Sequence, residues 1–122
     1  MGLSQSQIRF AELTGKLINY IYSIPGYGVT FGEAYRTPEQ AAIYAKEGKG
    51  IKESLHTERL AIDLNFFIRG FYQSNTSEYK PLGDYWKSLD PGCRWGGDFK
   101  SRPDGNHFEY RPVIPPVKVR QL

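Results

Sequence analysis

An α+β domain, with a small and mostly antiparallel sheet and helices packed on one side of it, is the fold class this chain predicts. Three observations lead there: a helix and a strand come first, mostly antiparallel strand pairs follow, and a helix intervenes between those pairs. A chain of 122 residues fits one domain, residues 1–122, and has no room for a second module. Aromatic residues make up 15% of it, nine tyrosines and seven phenylalanines among them, so bulky core side chains are present despite a 39% hydrophobic fraction.

The first helix is predicted over about residues 5–23, where Ile8, Leu13, Leu17, Tyr20 and Ile21 approximate an apolar stripe at helical spacing. Pro25-Gly26 ends it. Val29 to Tyr35 reads as a strand, with Val29, Phe31 and Glu33 on one face and Thr30, Gly32 and Ala34 on the other. Thr37 then caps a helix that has Pro38 at its first position and Gln40 three residues after the cap, a capping box. This helix runs through Ala41-Ala42-Ile43-Tyr44-Ala45 and stops near Gly48. Arg36 is thereby anchored between two elements.

Gly48-Lys49-Gly50 begins a polar loop that leads into Ser54-Leu55-His56. Leu60 to Phe67 reads as a strand with Ala61, Asp63 and Asn65 on one face and Ile62, Leu64 and Phe66 on the other, so Asp63 projects from a rigid element whose far face is core. Gln73 to Glu78 is a polar loop expected to overhang the site. Asp84 to Leu89 reads as a helix, with Tyr85 and Trp86 in the core, and Asp90-Pro91-Gly92 terminates it. Trp95 leads into Gly96-Gly97, Phe99 to Pro103 forms a loop, and His107 to Tyr110 is a short strand with His107 and Glu109 on one face. The tail, with Pro112, Pro115 and Pro116, is expected to be irregular.

Net charge is +3 and the pI is near 9.0, a mild basic excess that favours anionic surfaces without choosing among them. The sixteen basic residues contain no run of five, the pattern of an ordinary solvated surface. Cys93 stands alone, so no internal disulfide forms; it follows a Pro-Gly turn with no histidine nearby and reads as a buried, inert thiol. The N-terminal residues lack a basic and apolar leader pattern, and no stretch approaches 18 apolar residues, so neither export signal nor membrane insertion is expected.

Only two histidines occur, and each lies in a carboxylate-bearing stretch: Ser54-x-His56-x6-Asp63, and Asp104-Gly105-Asn106-His107-Phe108-Glu109. A catalytic zinc is held by three nitrogen or oxygen donors with a further position open. His56, Asp63 and His107 could be those donors, with Asp104 or Glu109 moving protons for a water whose pKa zinc lowers from about 15.7 to about 7. Spacing alone leaves open a second reading, in which the histidines are hydrogen-bonded core residues. The facial triad of non-haem iron oxygenases is a poor match, since there the first histidine and the carboxylate stand two residues apart rather than seven.

The Ser54-x-His56-x6-Asp63 pattern, followed about forty residues later by Asp104-x-x-His107-Phe108, resembles the signature of the M15 zinc peptidases, the D-alanyl-D-alanine carboxypeptidase and phage endolysin group. Tyr35-Arg36-Thr37-Pro38-Glu39-Gln40 resembles the family's upstream arginine segment and Trp95-Gly96-Gly97-Asp98-Phe99 its tryptophan-glycine turn, so the similarity covers roughly residues 28 to 110. Arg59 stands where many relatives carry glycine, a departure that bears on the turn after His56. The resemblance implies the M15, hedgehog-like D,D-peptidase fold. It implies Zn2+ on His56, Asp63 and His107, with Asp104 as the catalytic acid and base and Glu109 as support for an imidazole N–H. It further implies Arg36 at the oxyanion or a substrate carboxylate.

Ser54 is a second candidate for binding substrate, with a turn hydrogen bond as its alternative role. Asp104 is the shorter of the two acids found at its place in the family, which resembles the L-alanyl-D-glutamate endopeptidases of phage. The implied substrate is the peptide stem of peptidoglycan, met by a monomer with no separate wall-binding domain and no nucleic-acid partner. Cleavage of D-alanyl-D-alanine, within a stem or as a free dipeptide, and a non-catalytic wall-binding or virion module are the alternatives. Without an export signal, such an enzyme is expected to wait in the host cytoplasm until a holin releases it to the cell wall.

Overall fold

The computed structural model describes residues 2–50 and 54–113. Helix α1 (Leu3–Ser23) buries Phe10, Leu13, Leu17 and Ile21 along one face. Phe10 takes the place expected of Ile8, which is 71% exposed. The helical period explains the exchange: Phe10 lies one turn before Leu13, whereas five residues back lands about 140° away. Gly26, at φ +86°, turns the chain into strand β1 (Tyr27–Phe31), which starts and stops earlier than the alternation of apolar residues suggested. Past Phe31 the chain stays attached irregularly, with Gly32 N–H donating to Asp63 O at 2.8 Å and Asp63 N–H to Glu33 O at 2.9 Å. Ala34 and Tyr35 lie outside the strand.

Helix α2 (Pro38–Lys46) begins as expected, Thr37 Oγ1 accepting from Gln40 N–H at 3.0 Å. Among the described residues, only this half of the capping box forms. Strand β2 (Ala61–Ile68) buries Ile62, Leu64 and Phe66 on one face and turns Asp63 and Asn65 to the other. Arg69 and Gly70, at φ 49° and 83°, form a two-residue turn of the type that matches strand twist and lead into a two-residue strand, β3 (Phe71–Tyr72). Helix α3 (Lys80–Leu89) starts a turn earlier than predicted, with Pro81 in its first turn, where the missing N–H costs nothing. Two further strands follow, β4 (Cys93–Trp95), which the short Cys-Arg-Trp run did not announce, and β5 (His107–Tyr110). Pro112 is irregular, as expected; Pro115 and Pro116 lie outside the described residues, as do positions 51–53 of the polar loop.

The strands form one antiparallel sheet in the order β1-β2-β5-β4, with β3 on the distal part of β2. One apolar core joins Leu64, Phe66 and Phe108 to the buried faces of α1 and α3. This is the α+β architecture predicted. Trp86 of α3 is fully buried, meets Phe10 and Phe108 edge-on at 5.9 and 6.0 Å, and donates its indole N–H to Arg94 O and Glu109 O, tying α3 across β4 and β5. Trp95 is clamped more tightly: a Cβ on Gly83 or on Gly97 would fall 2.2 or 2.1 Å from its ring, so both positions admit only hydrogen. Its indole N–H donates to Gly105 O at 2.7 Å, which fixes the turn just before His107.

Candidate metal centre

His56 sits in a short 3₁₀ turn (Leu55–Glu58) that opens with Ser54, whose Oγ accepts from His56 N–H at 3.2 Å, and closes with Arg59 in the left-handed conformation, φ 58° and ψ 37°. The arginine therefore occupies a backbone shape that glycine adopts without cost, and its guanidinium lies over the Tyr35 ring at 4.0 Å. Asp63 projects from the open face of β2, and its cross-strand partner is His107, the first residue of β5. Directly opposed residues of an antiparallel pair bring their side chains together on one face. Gly32 is pressed against the same spot, where a Cβ would come within 3.0 Å of Asp63 Cβ.

One ligand atom from each of His56, Asp63 and His107 lies within 4.8 Å of the other two. Asp63 Oδ1 is 3.3 Å from His56 Nε2 and 3.3 Å from His107 Nδ1. Yet this oxygen makes no well-formed hydrogen bond among the described residues. Leaving buried polar atoms unsatisfied costs about 1–3 kcal/mol each. Three electron-pair donors facing one point, rather than alternating as donor and acceptor, is what a divalent cation satisfies, and the mixed imidazole and carboxylate set suits zinc.

His107 is oriented from behind. Its Nε2 lies 2.7 Å from Glu109 Oε1, and Glu109 Oε2 receives Arg94 Nε at 3.1 Å, so when the ring is neutral, the form a metal binds, its proton belongs on Nε2 and Nδ1 is left to face Asp63. Burial works against charge on all three groups, and their mutual attraction overcomes it. Asp63 is held down at about 2 by the imidazoles of His107 and His56, His107 is raised to about 9 by Asp63 and Glu109, and the Glu109 carboxyl is lowered by His107 and Arg94. The Asp104 carboxyl is raised, by burial first and then by the negative charge of Asp63, against the pull of His107, His56 and Arg36.

Asp104 and the three donors line a cavity of about 610 Å³, together with Arg36, Ser54 and Phe99. Gly96 makes room for the Asp104 turn, since a Cβ there would lie 2.2 Å from Asp104 O and 2.8 Å from His107 Cβ. Arg36 N–H donates to His56 O at 3.1 Å, and its Nε and Nη2 both go to Glu33 Oε1. The structure thus brings His56, Asp63, His107, Asp104, Arg36 and Ser54 to one cavity; Ser54, 6% exposed, is also the cap of the His56 turn. The Gln73–Glu78 loop does not overhang this cavity. Thr76 instead supports the Asp104 turn from outside, its Oγ1 accepting from Gly105 N–H at 3.2 Å. Residues that the sequence did not single out are Glu33, Gly32, Lys49, Arg94 and Arg102; of these, only the Glu33-x-x-Arg36 spacing carried a readable signal.

A family model described as D-alanyl-D-alanine carboxypeptidase, one of the M15 peptidases, matches residues 47–110, just over half of the chain. The chain belongs to the M15 peptidase family. Two solved structures share the fold of this M15 peptidase. The Serratia marcescens L-Ala D-Glu endopeptidase ChiX is 18% identical with a TM-score of 0.69, over 84% of this chain and 78% of that one. The vancomycin resistance D,D-pentapeptidase VanY from a VanB-type resistance cassette, a mutant in complex with Zn(II), is 18% identical with a TM-score of 0.56, over 84% of this chain and 71% of that one. Cys93, outside the cavity lining, is buried and its thiol is pushed up to about 12, chiefly by burial, as expected of an inert thiol.

Proposed function

We propose that this M15 peptidase hydrolyses the L-alanyl-D-glutamate bond of the peptidoglycan stem, with zinc held by His56 Nε2, Asp63 and His107 Nδ1. The observation that carries the reading is the convergence of these three donors, two of their atoms 3.3 Å from Asp63 Oδ1, inside an open cavity that also holds an acid and an arginine. A zinc bound there supplies a Lewis acid for the scissile carbonyl and a water acidified toward pH 7. Asp104 takes the proton of the attacking water and hands it to the leaving nitrogen, and its raised pKa brings it closer to the range where one carboxyl serves as both base and acid. Arg36, clamped by Glu33, directs its charge at the developing oxyanion or at a substrate carboxylate. Glu109 keeps the His107 ring in the tautomer that leaves Nδ1 unprotonated. Ser54 holds the His56 turn and contributes to the cavity wall.

The choice of bond rests on the resemblance of Asp104 to the acid of the endopeptidases, and it accords with the activity named for ChiX. The family model's description favours a second reading, cleavage after D-alanine by a D,D-carboxypeptidase. Digestion of purified sacculi followed by mass spectrometry separates them: a glycan carrying only L-alanine supports the first, release of free D-alanine the second. The proposal extends to a phage-type role in which the enzyme waits in the host cytoplasm for release to the wall. Cells producing the protein should then lyse on co-expression of a holin and grow normally without one.

A further inference from the structure

The turn Gly48-Lys49-Gly50 is ringed by cations. Arg102 reaches over from the loop before Asp104 and donates from Nη2 to Gly48 O. A Cβ on Gly50 would lie 3.6 Å from Arg36 Nη1, so Arg36 stands against the same turn, and Lys49 lies between the two glycines. All three basic residues line the cavity of the donor triad.

Their charges are unequally answered. Arg36 has Glu33. Lys49 meets Glu47 at 3.4 Å with both side chains well exposed, a pair that water largely screens. Arg102 pairs with no carboxylate among the described residues; its partner is a neutral carbonyl. Among the described residues that line the cavity, five are basic, Arg94 and Arg111 included, and three are acidic. Two of those acids, Asp63 and Glu109, are already engaged with the imidazoles. A divalent cation on the triad makes the balance still more positive, so the cavity favours an anionic ligand.

We infer that Arg102 and Lys49 form an anion subsite that receives the free carboxylate of the glutamyl residue on the leaving side of the scissile bond, an inference that rests on the proposed function. A glutamyl residue in peptide linkage keeps one free carboxylate, whichever of its two acid groups continues the chain. The hydrogen bond to Gly48 O holds the Arg102 fork at the lip while its remaining N–H groups stay available, and such a fork matches a carboxylate in two-point fashion. Lys49 adds a flexible point charge beside it. The subsite thereby sets a preference for a carboxylate over a carboxamide at that residue.

The test compares two N-acetyl-L-alanyl-D-glutamyl peptides, one with the free carboxylate and one with that group as the carboxamide, on the zinc-loaded full chain. Wild type should show kcat/KM about 10-fold higher on the acid, mostly through KM. Arg102→Ala should lower the acid to the level of the amide while leaving the amide rate and the zinc content unchanged, Lys49→Ala should do so in part, and Arg102→Lys should restore part of the preference. Equal wild-type turnover of acid and amide, or an Arg102→Ala variant slowed equally on both, overturns the subsite. Turnover of neither peptide, with turnover of one ending in D-alanyl-D-alanine, overturns the bond assignment and the subsite with it.

Discussion

His107 owes its chemistry to the nitrogen that faces away from the cavity. With Glu109 2.7 Å from Nε2, the other nitrogen of the neutral ring is left as a lone-pair donor toward Asp63, and His107 and then Arg94 hold the Glu109 carboxyl below its ordinary range. Glu109→Gln, which removes the charge and not the shape, should weaken zinc affinity by about 10–100-fold in a competition titration with a chelator. Asp104→Ala should behave differently, keeping its zinc while turnover falls by about 10²-fold or more. A variant that loses metal would instead make Asp104 a ligand. His56, Asp63 and His107 were legible because the chain spends its only two histidines beside carboxylates. Period-two alternation put Glu109 on the same face as His107. Gly32 carried no such signal, since its reason is the close approach of Asp63, 31 positions away; Gly96 was marked by the tryptophan-glycine turn, but its reason, the approach of Asp104, 8 positions away, shows only in the fold. Arg94 was hidden for a related reason: it reaches Glu109 only because β4 pairs with β5.

Among the elements, the turn after His56 and the Trp95 clamp hold the site in place. Arg59→Gly relieves left-handed strain of about 1–2 kcal/mol against a gain in unfolded-chain entropy of about 0.5–1 kcal/mol and the loss of stacking on Tyr35. Chemical denaturation should therefore find a net change within about 1 kcal/mol, with zinc binding intact. The Trp95 clamp is less forgiving. Gly83→Ala drives a methyl group into the indole, and overpacking of this kind should cost about 1–3 kcal/mol or more by the same measurement. α1, α2 and β2 were readable because each shows a period or a cap over seven or more residues. β3 and β4, at two and three residues, are too short to show alternation; their neighbours in the sheet define them. Phe10 rather than Ile8 in the core shows the same limit inside a helix, where two apolar residues compete and the angle to Leu13 decides.

At the scale of the whole molecule, the triad makes the metal-free fold sensitive to pH on both sides. Asp63, lowered from 3.8 to about 2, contributes stability that is present above its ordinary pKa and is lost as pH falls toward 2. His107, raised from 6.5 to about 9, contributes stability that is full below 6.5 and is lost as pH rises through 9. Chelator-treated protein should thus melt highest between about pH 4 and 6.5 and progressively lower toward pH 9. Zinc should abolish the alkaline decline, because it binds the deprotonated ring. A melting temperature that rises from pH 6.5 to 9 without metal would contradict this. The most direct test of the account is the zinc content of protein dialysed against the metal and then desalted. Wild type should hold one equivalent per chain, and His56→Ala, Asp63→Ala and His107→Ala should each hold far less while remaining folded. A wild type that retains none, or three variants that retain as much as wild type, would contradict it.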